Sequence, residues 1–231
     1  MTGKRNNFFS FILLGLSLVS MLVSLYGVFI FAPTEKSMGN VQRIFYFHVA
    51  TAWVGFFAFG VVFVASILFL WKKARKWDRL ALCSAEVGVV FTTLIFITGP
   101  LWAKPVWNTW WTWDLRLTTS LILWLIDVAY LMLRQFAGDE ERGARFAAVF
   151  GIIGFVDVPI VYLSIRLWRT LHPAPVIFGR EESGLEPEML LTLILSLMAF
   201  TFLYLYLLRE RVQLEKIKDE LKNLKREWAI K

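Results

Sequence analysis

The chain has 231 residues, of which 58% are hydrophobic, 16% aromatic and only 19% charged. A soluble domain averages about 45–50% apolar and about 25% charged, so the surplus apolar surface asks for lipid around it rather than water. The formal charge of +7 would suggest nucleic acid only if the basic residues lay apart from apolar spans, and the single cysteine, Cys83, excludes an intrachain disulfide framework.

Six apolar runs reach the roughly 20 residues that a bilayer crossing demands. The first, about Phe8–Ala32, follows Lys4 and Arg5. It is too long for the 7–15-residue apolar core of a signal peptide and lacks a small-residue cleavage site, so it reads as an uncleaved anchor. The second, Ile44–Trp71, opens in RIFYFHVATAW with His48 at its start. The basic loop KKARKWDR leads to the third, Leu80–Leu101, which carries Cys83 and Glu86. After LWAKPVWNTWWTWDLRLT comes the fourth, Leu117–Phe136, with Asp127 inside it. The fifth, Phe146–Trp168, contains Asp157 and Pro159, and the proline should kink it. His172 follows in LWRTLHPAP, and Glu188–Leu208 is the sixth run. No cation lies at a depth to pair with Glu86, Asp127 or Asp157, so they are expected to be neutral and hydrogen-bonded between helices.

Beyond Leu208 the pattern changes. Leu214, Ile217, Leu221, Leu224 and Trp228 recur at steps of three and four, with Lys and Glu between them. This spacing predicts an amphipathic basic helix over 209–231, lying on the membrane surface or docking a partner protein. Basic residues orient the set: 18 of the 25 Lys and Arg fall on the termini and on the loops that share a side with KKARKWDR. The positive-inside rule then puts both termini in the cytoplasm and turns loops 33–43, 102–116 and 169–187 outward. It also accounts for the net charge without nucleic acid. The expected fold is an all-α integral membrane protein: one six-span domain over 1–208, an outward tryptophan-rich loop 102–116 and a cytoplasmic tail.

Several chemistries drop out. There is no CxxC or CxxCH, no Walker-A or GxGxxG loop, and too few Cys and His for a four-ligand zinc site. What stands out is tryptophan. Eleven occur in the chain, and Trp102, Trp107, Trp110, Trp111 and Trp113 fall within twelve residues. One reading is an ordinary interfacial aromatic belt. The other is an apolar platform for a large planar ligand, with Lys104 and Arg116 attracting its acids. Asp114 precedes the fourth span, where an N-cap acid is favoured, whereas Arg116 sits at the wrong end of a helix for a cation and wants a ligand or partner. The two histidines can be structural. Both, however, lie at the same level and side as the tryptophans, where two imidazoles can clamp a haem iron axially.

The stretch Trp107–Thr118 resembles the "WWD" signature of membrane haem-handling proteins of cytochrome c biogenesis. Together with the six spans and both histidine segments, it resembles the cytochrome c maturation protein C (haem exporter protein C) family from about Thr34 to Leu208. Asn108 stands where that family often has Gly, and Ala50 where it often has Pro. The resemblance implies haem b held on the outer face of a bacterial inner membrane, with His48 and His172 as axial ligands and Trp107, Trp110, Trp111, Trp113 and Asp114 in the haem-contact loop; Arg116 is added as a cation for the haem acids. It implies delivery of haem to a membrane-anchored chaperone, the maturation protein E. It also implies the company of the maturation proteins A and B, which form an ATP-binding cassette, and of a small membrane protein, the maturation protein D. The chain would be a binding and delivery protein, not an enzyme. Two alternatives stay open on the residues alone: a redox protein that retains its haem, and a small-molecule transporter.

Overall fold

In a computed structural model, the chain is described over residues 2–137, 140–168, 170–173 and 185–229. Its helices, in order, are α1 (Thr2–Tyr26), α2 (Ile44–Lys72), α3 (Arg75–Trp107), α4 (Leu115–Phe136), α5 (Glu140–Gly154), α6 (Asp157–Leu167) and α7 (Pro187–Ala229). Six helical segments are long and apolar enough to cross a membrane, with α5 and α6 together making one of them. Six crossings return the chain to the side from which it started.

Helices α2 and α3 form the centre, and small residues let them approach. A Cβ at Gly55 would lie 2.8 Å from Thr92 Cγ2, and one at Gly88 would lie 3.1 Å from Ala58 Cβ. In lipid, where no hydrophobic effect drives helices together, such close packing is what holds them. The contacts fix an antiparallel register: Ala58 faces Gly88, Gly55 faces Thr92, and further along the same seam His48 meets Thr98 and Gly99. Hydroxyls add to the packing elsewhere, with Ser24 of α1 hydrogen-bonded to Ser196 of α7 at 2.8 Å and Ser84 of α3 to Tyr204 of α7 at 2.8 Å. The outward faces of these helices carry Phe11, Leu22 and Ile97, exposed as lipid-facing side chains are.

Three expectations need correction. The fifth span is two helices, broken at Phe155–Val156 rather than at Pro159 itself. Proline offers no N–H to the carbonyl four residues back, and Phe155 O instead accepts from Val158 N at 3.1 Å. Tryptophan loop 102–116 is shorter than expected, because α3 continues through Pro100 and Pro105 to Trp107. Helix α7 runs from the sixth span on through the tail to Ala229, with Leu214, Ile217, Leu221, Leu224 and Trp228 all exposed. Glu86 is not alone at its depth, since the extended α7 brings Arg211 to within 2.7 Å of its carboxylate. Asp127 is fully buried, and its Oδ2 makes no hydrogen bond among the described residues. Of the expected outward loop 169–187, only 170–173 and 185–187 lie within the described residues.

A two-histidine pocket beneath the tryptophan segment

Four segments meet at one end of the bundle: the start of α2, the end of α3 with the link to α4, the start of α4, and the residues after α6. His48 lies one turn into α2, buried, and His172 lies beyond α6, half-buried. Their ring centroids are 6.3 Å apart, with the planes inclined by 40°.

Each ring has its Nδ1 occupied. His172 Nδ1 is 2.9 Å from the Pro173 carbonyl oxygen. A carbonyl only accepts, so Nδ1 carries the proton and Nε2 keeps its lone pair. His48 Nδ1 is 2.8 Å from Thr98 Oγ1, and that hydroxyl donates to Leu94 O at 2.7 Å. With its one proton committed to the helix carbonyl, the threonine oxygen accepts from His48 Nδ1, and again Nε2 is left as the base. Burial, and after it the Arg116 cation, pull the His172 imidazole down to about 4, so it is neutral at pH 7. Two imidazoles whose Nε2 atoms have no hydrogen bond among the described residues are a pair of donors for a transition metal. A metal bonded at about 2 Å to one nitrogen of each ring would hold the centroids about 6 Å apart.

The tryptophan segment roofs this pair. Helix α3 ends at Asn108, whose φ of 54° is left-handed. Asn adopts that region more readily than most residues, so the chain turns here as a glycine would let it. Lys104 Nζ secures the turn by donating to Asn108 Oδ1 at 3.0 Å, and it lies 5.9 Å from the Trp110 ring. Trp102 and Trp107 meet edge to face at 5.3 Å, and Phe96 lies 6.1 Å from Trp111. The indole Nε1 atoms of Trp102 and Trp111 are buried without an acceptor among the described residues. A buried N–H left unpaired costs about 1–3 kcal/mol, which a ligand oxygen would recover.

Asp114 is the N-cap of α4. Its Oδ1 accepts from Leu117 N at 3.1 Å, and its Oδ2 accepts from Thr112 Oγ1 at 2.7 Å. Arg116 finds its partner in the protein: Nη1 donates to Val161 O at 3.0 Å, where α4 packs on α6. His48, His172, Trp107, Trp110, Trp111, Asp114 and Arg116 all line one pocket. Trp113 does not; it is 76% exposed and turns its edge to Trp111 at 5.6 Å. Open space in the pocket is about 70 Å³. Small-molecule sites begin near 300 Å³, so the pocket as it stands is too small for a large planar ligand. Sequence reasoning missed Thr98 and Gly99. No motif marks them, although a Cβ at Gly99 would come within 3.3 Å of His48 Cε1.

A family model described as "Heme exporter protein C" matches residues 5–227. The heme exporter protein C of Haemophilus influenzae is 34% identical over 98% of this chain and 89% of its own length. That of Escherichia coli K12 is 35% identical over 80% of this chain and 74% of its own length. A ccmC-like mitochondrial protein of cytochrome c biosynthesis from Marchantia polymorpha is 32% identical over 73% of this chain and 71% of its own.

Proposed function

This chain belongs to the haem exporter protein C family, and from that premise we propose that it binds haem b between His48 and His172 at the outer face of a bacterial inner membrane and delivers it for cytochrome c maturation. The observation that carries the proposal is the imidazole pair, 6.3 Å apart with both Nδ1 atoms engaged. Two nitrogen donors fill two positions of an octahedral iron, and a tetrapyrrole brings the other four itself. Haem held by axial histidine is a common arrangement.

The remaining residues fit the cargo. Haem presents a wide apolar face and two carboxylates. Trp107 and Trp111 offer stacking area, the unpaired indole N–H groups offer donors to the polar edge, and positive charge comes from Arg116 in the lining and from Lys104 beside the Trp110 ring. The thin space now present suits a site that opens to load and unload. Its roof is a short irregular segment, the kind of backbone that moves most readily. The recipient in this reading is a membrane-anchored haem chaperone, the maturation protein E. The ATP-binding cassette of the maturation proteins A and B, with the small maturation protein D, completes the assembly, and the chain acts as a delivery protein rather than an enzyme.

The test is an absorbance spectrum of the purified protein before and after addition of the chaperone. Haem that is present and then passes to the chaperone supports the proposal. Haem that stays and cycles between redox states would make the protein a resident cytochrome instead, and a protein that never takes up haem would end the reading.

A further inference from the structure

At the end of the bundle away from the tryptophans, a groove of about 1260 Å³ runs between α4 and α7, with α3 as its floor. Its deeper half is mainly apolar, lined by Leu82 and Val89 of α3 and by Val128 and Leu131 of α4, with the Glu86–Arg211 ion pair between Leu82 and Val89. Its shallow half is charged. Nine Lys and Arg line the groove against five Asp and Glu, an excess of four cations. Each of those carboxylates already has a partner. Asp78 pairs with Arg134, Glu86 with Arg211, Asp219 with Arg79, Glu215 with Arg211 and Lys218, and Glu141 with Arg145. Lys73 and Lys225 have no ion pair among the described residues and face the same groove. The charge of these two lysines is thus left for something outside the protein.

The dimensions identify its class. From Arg75 to Val89 the floor rises fourteen residues, about 21 Å at 1.5 Å per residue. One leaflet with its headgroups is about 20–22 Å thick. The basic residues around the groove belong to the segments that the charge distribution assigns to the cytoplasm. The groove therefore has the height of one leaflet, cations at headgroup level and an apolar wall above them. No His, Cys or Tyr lines it, and Met132 is the one lining side chain of a kind that ligates haem iron.

We propose that this groove binds one anionic phospholipid of the cytoplasmic leaflet. Its phosphate meets the cations of the α2–α3 turn and of α7, and an acyl chain lies along Leu82, Val89, Val128 and Leu131. Juxtamembrane lysines each strengthen binding to anionic lipid, and here they are fixed around an apolar slot instead of spread over a flat surface. The lipid would also fill the space between α4 and α7 and hold the α7 tail in place.

Native mass spectrometry of delipidated protein tests this, with phosphatidylglycerol, phosphatidylcholine or soluble glycerol phosphate added back. The protein should retain one phosphatidylglycerol in preference to phosphatidylcholine, and glycerol phosphate should not compete. Lys73→Gln with Lys225→Gln should weaken retention about thirtyfold. Met132→Trp, on the half-exposed α4 wall, should obstruct the slot and reduce retention as well. The haem spectrum should be unchanged in both variants, which separates this site from the outer one and reports on folding. Equal retention of the two lipids, full competition by glycerol phosphate, or unaltered binding in the lysine double variant would each overturn the proposal. So would a photo-crosslinker at Leu131 that captures a protein segment rather than lipid in native membranes.

Discussion

His48 Nδ1 lies 2.8 Å from Thr98 Oγ1, and this contact across the α2–α3 interface sets which nitrogen of the ring keeps its lone pair. It follows from the small-residue seam: close approach at Gly55 and Gly88 brings the end of α3 alongside the start of α2. The partner of a metal-binding histidine usually tunes affinity about ten- to hundredfold. Thr98→Val keeps the shape and removes the acceptor, so haem retention should fall by roughly that factor and the iron spectrum should shift. Thr98→Ser should restore both. Equal spectra and affinity in all three proteins would leave Thr98 a packing residue only.

Asp114 caps α4 through Leu117 N. Loss of an N-cap acceptor costs about 1 kcal/mol. Asp114→Ala should lower the thermal midpoint in detergent, while Asp114→Asn should keep most of the stability, because an amide oxygen still accepts. If both variants unfold together, the charge beside Arg116 matters more than the cap.

The Glu86–Arg211 pair joins α3 to the extension of α7, with the two side chains 31% and 22% exposed. Arg211 also holds Glu215 at 2.8 Å, so deleting Glu86 leaves the guanidinium one partner. A double-mutant cycle on Glu86→Gln and Arg211→Gln should give a coupling of about 1 kcal/mol. Additive effects would mean that the pair contributes nothing to docking the tail.

Much of this was legible in the residues. The six spans follow from apolar runs near 20 residues. The pocket was announced by five tryptophans in twelve residues with both histidines at the same end. The break in the fifth span was legible only in part: Pro159 marks it, but the bend falls where the carbonyl of Phe155 loses its donor. Thr98 and the Glu86–Arg211 pair were hidden, because each depends on how two helices cross. Hydropathy could not show that α7 continues past Leu208, since a helix leaving the membrane keeps its shape while its composition turns polar. Trp113 looked like its neighbours in sequence but points outward, because the irregular segment from Thr109 to Asp114 has no helical period to fix its direction.

Orientation is tested by labelling. In a Cys83→Ala background, a cysteine placed at Arg75 should resist an outside-only reagent, and one placed at Trp113 should react. Reaction at residue 75 would invert the topology and put the two-histidine pocket on the inner side.

The most direct measurement compares His48→Ala, His172→Ala and Trp111→Ala, each loaded with haem, with and without added imidazole. Loss of either histidine removes one iron ligand, so the spectrum should change and retention should weaken. Imidazole in solution should partly restore both by filling the vacancy. Trp111→Ala leaves the two iron bonds available but removes stacking area worth about 2–3 kcal/mol, or roughly thirty- to hundredfold in affinity. Its residual haem should keep a two-histidine spectrum, and imidazole should not rescue it. If neither histidine variant alters the iron spectrum, or if imidazole restores the tryptophan variant equally well, His48 and His172 are not the axial pair.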